Sequence, residues 1–131
     1  MATLRVIGDA LDPDAVSQLL AGVPTRSFRK GDALTGPVTG NVCIAKTGVW
    51  QLCARRREPE NLNAQIMEIL GQLTPELAVW SALRSRFKID LFCGIFMASG
   101  NDGLPLSADV LLALGQRGID LGLDIYDAAE D

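Results

Sequence analysis

The 131-residue chain contains no histidine. That absence removes the side chain most often used as a general base, the Ser-His and Cys-His nucleophile pairs, and the usual nitrogen ligand of zinc. Cysteine is scarce: Cys43, Cys53 and Cys93 are an odd set, and no two have CxxC spacing. Such a set argues against a disulfide scaffold and against a thiolate metal site. We expect three unmodified thiols, no metal and no cofactor. Cys53 and Cys93 sit in apolar strand-like runs, where cysteine behaves as a small hydrophobe.

Long apolar runs are also missing. The longest without a charge, Leu91 to Ala98, falls far short of the roughly 20 residues that cross a membrane as a helix. The first residues lack the charged start, apolar stretch and cleavage site of a signal peptide. These absences lead us to expect a cytoplasmic protein with no membrane partner. Positive charge is short as well. The formal net charge is −4, with residues 1–66 at +2 and residues 67–131 at −6. A chain without clustered cations is a poor match for a phosphate backbone, so we expect no nucleic-acid partner. The one basic run, Arg55-Arg56-Arg57, is followed at once by Glu58 and Glu60 and reads as a solvated loop.

What is present is a globular composition, 48% apolar and 21% charged, at a length that makes one domain. We place that domain at residues 1–126 and read 127–131 as an acidic tail. Leu4 to Ile7 is strand-like. Asp12 is a good helix cap, Pro13 suits the first helical position and Asp14 complements the dipole. Ala15, Val16, Leu19 and Leu20 share a face at helical spacing, and Gly22 is placed to close the helix in the left-handed conformation.

Residues 25–29 and 42–44 read as short strands around a glycine-rich loop or irregular hairpin over 31–41. Thr47 to Ala54 reads as a firm strand. Leu62, Ile66, Ile69, Leu70 and Leu73 form a buried helical stripe. Thr74-Pro75 interrupts it, with Thr74 the expected cap and Pro75 the first position of a second helix, or a kink in one long helix. Ile89 to Ala98 is the clearest central strand. Ser107 caps a last helix, and Ile119 to Tyr126 alternates strictly as a half-buried strand.

Strand, capped helix, strand therefore occurs at both ends of the chain. Two split β-α-β units around one sheet predict an α+β, ferredoxin-like fold, mainly antiparallel, with the 12–21, 61–86 and 107–117 helices on one face. In this arrangement the 4–7 strand lies between the 89–98 and 119–126 strands, and Leu123 is a core residue.

Several short motifs run through the chain in order: Gly8-Asp9 to Leu11-Asp12-Pro13, Pro24-Thr25, Lys30-Gly31-Asp32, Thr47-Gly48-Val49-Trp50, Asp90-Leu91-Phe92-Cys93-Gly94 and Leu123-Asp124-Ile125-Tyr126. On these the chain resembles the bacterial family catalogued as domain of unknown function 4279. The resemblance spans nearly the whole chain. It implies a compact α+β domain in a bacterium and brings no catalytic residues with it.

Gly40 to Thr47 is one glycine short of a phosphate-binding loop, with Ala45 where the second glycine belongs. The run continues as a strand, whereas a phosphate loop opens a helix, so it reads as a chance match. Arg26, Arg29, Lys30 and Asp32 surround the glycine-rich loop. They suit either an anion site or a solvated surface, and the solvated surface is the commoner outcome.

The sheet face turned away from the helices has more to offer. Period-two geometry gives it Asp90, Phe92, Gly94 and Phe96 from one strand, and Asp120, Gly122, Asp124 and Tyr126 from another. Aromatics among polar groups are what interfaces favour, and strand glycines admit a close approach. The bland alternative is that the 31–46 loop covers this face. Asp120 and Asp124, about 13 Å apart along a strand, are too far apart for a close catalytic pair.

These features point to a non-enzymatic domain that binds another protein or a small ligand through the open face, with an immunity-type role by analogy. A homodimer also fits them. The alternative is a small-molecule enzyme or ligand sensor that uses Arg26, Lys30, Asp90 and Tyr126 around a pocket near the 26–48 loop. That reading requires a cleft of about 300 Å³ at those residues.

Overall fold

The computed structural model describes residues 1–36, 40–55, 61–96 and 104–126. A five-stranded sheet runs in the order β2-β5-β1-β6-β7. Its central strand, β1 (Ala2–Gly8), buries Ala2, Leu4 and Val6 completely and turns Thr3, Arg5 and Ile7 to the other face. β5 (Gly48–Cys53) and β6 (Lys88–Phe96) flank it, both antiparallel to it. The short β2 (Arg26–Phe28) pairs antiparallel with β5, and β7 (Asp120–Tyr126) pairs parallel with β6.

The four helices among the described residues cover one face. α1 (Pro13–Leu20) packs over β5, α2 (Leu62–Gly71) over β1, α3 (Leu77–Arg84) against β6 and α4 (Ala108–Arg117) against β7. The core is the alternate residues of the strands with the apolar stripes of the helices. It includes Trp50 and Trp80, both fully buried. Each indole N–H is satisfied, donating to Ser17 Oγ at 3.0 Å and to the Thr74 carbonyl at 2.9 Å. A buried indole requires such a partner. Gln65 is the exception to this pattern: its side-chain amide is buried, and among the described residues neither its oxygen nor its nitrogen has a hydrogen-bond partner.

The fold is α+β with helices on one face, as expected, but the sheet is mixed and the ferredoxin-like order is not formed. The first unit is split: β1 and β2 are each antiparallel to β5, which lies between them. The last unit is not split. β6 and β7 are direct parallel neighbours, and β1 lies on the far side of β6. Alternation along a strand determines which residues share a face and says nothing about which strand sits alongside.

Three local expectations also change. Helix α1 closes on Ala21 in the left-handed region, at φ 56°, whereas Gly22 has no positive φ. Gly22 instead lies against the Leu73 side chain, whose terminal methyl would have to shift to admit a Cβ there. Helix α3 does not start at Thr74-Pro75. Its cap position is Glu76, with no side-chain cap bond. Thr74 Oγ1 accepts from the Glu76 N–H at 3.3 Å, just ahead of the helix, while its own N–H donates to the Leu20 carbonyl and its carbonyl accepts from Trp80.

The third change concerns Leu123 and Ile125, which are 44% and 56% exposed. They do lie on the helix side of the sheet, in register with Cys93 and Ile95. They belong to the outermost strand, however, and the helix layer leaves them open.

The glycine-rich segment forms a separate hairpin of β3 (Ala33–Thr35) and β4 (Val42–Ile44). Val42, Cys43 and Ile44 are exposed, so these residues do not cover the open face. Met97 and Ala98, the 99–103 turn, Arg56, Arg57 and the 127–131 tail lie outside the described residues.

Candidate functional site

The registers lay out the open face in rows. One polar row crosses all five strands: Arg26, Gln51, Arg5, Asp90, Asp120. A second runs Cys53, Thr3, Phe92, Gly122. Beyond them lie the pairs Gly94–Asp124 and Phe96–Tyr126. The adjacency of β6 and β7 thus places all six sequence-predicted residues of these strands on one surface.

Within that surface they have different roles. Asp90 is only 7% exposed. Arg5 donates to it twice, Nε to Oδ1 at 2.8 Å and Nη2 to Oδ2 at 2.7 Å. The same guanidinium lies 5.0 Å above the Phe92 ring. The bond to Asp90 raises the already high pKa of Arg5, so this cation stays charged at every working pH. Asp90 and Phe92 are therefore engaged within the fold. Arg5 was missed in the sequence because its partner lies 85 residues away.

At the β6–β7 end the groups are open. Phe96 is 75% and Tyr126 42% exposed, and their rings stack with centroids 4.7 Å apart. Tyr126 Oη donates to Asp124 Oδ2 at 2.7 Å. That bond, and the carboxylate charge beside it, push the phenol above its usual range. Asp120 is exposed in the same strand. The stack and Asp124 thus lie at one end of the β6–β7 ladder, and Asp120 lies at its other end, opposite Asp90.

The other predicted pair lies at the opposite edge. Arg26 is exposed on β2, its guanidinium 5.2 Å above the Phe28 ring. Lys30 contacts Asp9 at 3.3 Å, and Arg29 contacts Asp12 at 2.9 Å. Asp9 is held below the usual carboxylate range by the Thr47 hydroxyl and by Lys30. The loop cations are thus set among acids of the same chain. Gly40 to Thr47 runs into β4 and β5, which is not the strand-to-helix turn of a phosphate loop.

A cleft of about 260 Å³ lies in the helix layer, lined by Met67, Leu70, Gly71, Leu73, Pro75, Ala113 and Arg117. None of Arg26, Lys30, Asp90 or Tyr126 borders it. Among the described residues no three of His, Cys, Asp and Glu gather as a metal site, and no helix is long and apolar enough to cross a membrane. Cys43 is an exposed thiol, Cys53 half-buried and Cys93 buried.

The profile of the family described as Domain of unknown function (DUF4279) matches residues 1–128. The chain belongs to this family. No curated protein and no solved structure matches it. Membership of the DUF4279 family assigns no residue a role, so a function for this member rests on its surface.

Proposed function

We propose that this DUF4279 domain is a non-enzymatic binding module whose partner, a protein with a basic surface, docks on the β6–β7 end of the open sheet face. The observation that carries this reading is the exposed Phe96–Tyr126 stack, with Asp124 hydrogen-bonded to it and Asp120 exposed farther along the same strand. Rigid aromatics present large contact area at low entropic cost, and interface anchors are rich in them. The carboxylates add a negative rim, and the residues from 67 onward carry −6 of the formal charge, which favours encounter with a cationic partner. An immunity-type role, in which the acidic end blocks a basic site, is one instance of this chemistry.

The test compares affinity capture by the wild-type domain and by the Phe96→Ser/Tyr126→Ser double variant in the cells the protein comes from. Both side chains are exposed, so the variant should keep its thermal stability. A specific basic partner should be recovered with the wild type and lost with the variant. Loss of one anchor is worth about 2 kcal/mol, roughly 30-fold in affinity. Recovery of the same proteins by both baits would refute the assignment.

A further inference from the structure

We propose that β7 is a dimerisation edge, on which a second copy of this chain pairs antiparallel about Leu123 to join two sheets into one of ten strands. This inference does not rest on the partner reading above: it is argued from the backbone edge of β7, although Asp120, Asp124 and Tyr126 also border the seam.

β7 is an outer strand of the sheet order, and among the described residues no strand pairs with its far side. It has seven residues and no proline. A long unprotected edge presents a row of backbone donors and acceptors, and proteins usually shorten, charge or cover such an edge. The other outer strand, β2, has only three residues. β7 also exposes apolar side chains on its helix side, Leu123 and Ile125, and α4, which packs on it, exposes Leu111 and Leu112.

The sequence of β7, Asp-Leu-Gly-Leu-Asp-Ile-Tyr, identifies the occupant. Antiparallel pairing about Leu123 sets Leu123 against its own copy and Leu121 against Ile125. The helix side of the seam then becomes one apolar strip. On the open side, Asp120 meets Tyr126 and Asp124 meets Gly122. No carboxylate faces another. Moving the centre one residue toward Gly122 sets Asp120 against Asp124. Moving it toward Asp124 sets that residue against its own copy. Like charges directly opposite are destabilising. The Leu123-centred register is thus the one that pairs all seven residues without a carboxylate clash. It closes as an isologous two-fold, with both open faces on the same side.

Gly122 allows a test specific to this register. Its φ is not positive, and a Cβ built there meets nothing within 4 Å, so side chains fit. Sedimentation equilibrium of the full chain across the micromolar range should show a monomer–dimer equilibrium up to twice the 14.0 kDa chain mass. Gly122→Asp, opposite Asp124 of the second copy, should weaken the dimer by roughly tenfold or more, and Gly122→Lys should tighten it several-fold. Gln18→Lys on α1 makes the same change in net charge away from β7 and should leave the constant unaltered. Circular dichroism confirms that each variant is folded. A wild type that stays monomeric throughout overturns the proposal. So does a dimer that responds equally to Gly122→Asp and Gly122→Lys, or as strongly to Gln18→Lys as to Gly122→Lys.

Discussion

The Arg5–Asp90 pair decides whether Asp90 belongs to the binding surface or to the fold, and a double-mutant cycle measures which. The pair is bidentate, at 2.8 and 2.7 Å. The two side chains are 35% and 10% exposed. Fully exposed ion pairs are worth about 0–1 kcal/mol, and breaking a fully buried one costs about 3–5 kcal/mol. This pair is asymmetric between those limits. Arg5→Ala leaves a nearly buried carboxylate without its cation and also removes the contact with Phe92, so it should cost about 3 kcal/mol. Asp90→Ala leaves a guanidinium that water still reaches and that rests on the Phe92 ring, so it should cost about 1.5 kcal/mol.

The double variant should cost no more than Arg5→Ala alone, giving a coupling of about 1.5 kcal/mol. Urea unfolding followed by fluorescence reports this directly, since Trp50 and Trp80 are both fully buried. For a domain of this size 1 kcal/mol corresponds to about 4 °C in Tm. Asp120→Ala, on the same face but exposed, should stay within about 0.5 kcal/mol of the wild type. Additive effects of Arg5→Ala and Asp90→Ala, or a cost for Asp120→Ala as large as for Asp90→Ala, would refute the division of labour drawn across this face.

Other predictions follow from single side chains. Tyr126 is the only tyrosine, so ultraviolet absorbance titration reads it alone; its phenol should ionise above the ordinary value, and Asp124→Asn should bring it back down. Because the folded pKa is raised, the bond's contribution is complete below the unfolded pKa and lost as pH rises through the folded one, so Asp124→Asn should flatten the alkaline fall in stability above about pH 10. Ala21→Gly should raise stability by up to about 1 kcal/mol in thermal unfolding, since the left-handed φ of 56° penalises a Cβ. Gln65→Met keeps the volume and removes an unpartnered buried amide, and should stabilise by about 1–2 kcal/mol in the same assay. Leu91→Ala, at a fully buried position, should cost about 2–5 kcal/mol, whereas Leu123→Ala, at a position 44% exposed, should cost under about 1 kcal/mol when unfolding is measured on the monomer.

Local order was written plainly in the chain. Asp12 and Ser107 cap their helices as their residue types require, because a capping side chain needs only an N–H two or three residues away. Alternation likewise assigned Asp90, Phe92, Phe96, Asp120, Asp124 and Tyr126 to one face. Everything that depended on a neighbour distant in the chain was decided by tertiary packing. Whether Leu123 is core depends on how far the helix layer reaches over the outermost strand. The left-handed cap fell on Ala21 and not on Gly22, one residue away. Asp90 passed from the surface to the fold because the β1–β6 register sets Arg5 directly opposite it. The exposed stack at Phe96 and Tyr126 exists only because β7 lies beside β6 and not beyond β1. Strand order comes from competition among burial, loop closure and sheet edges over the whole chain, and a period of two along one strand carries no information about which strand is next to it.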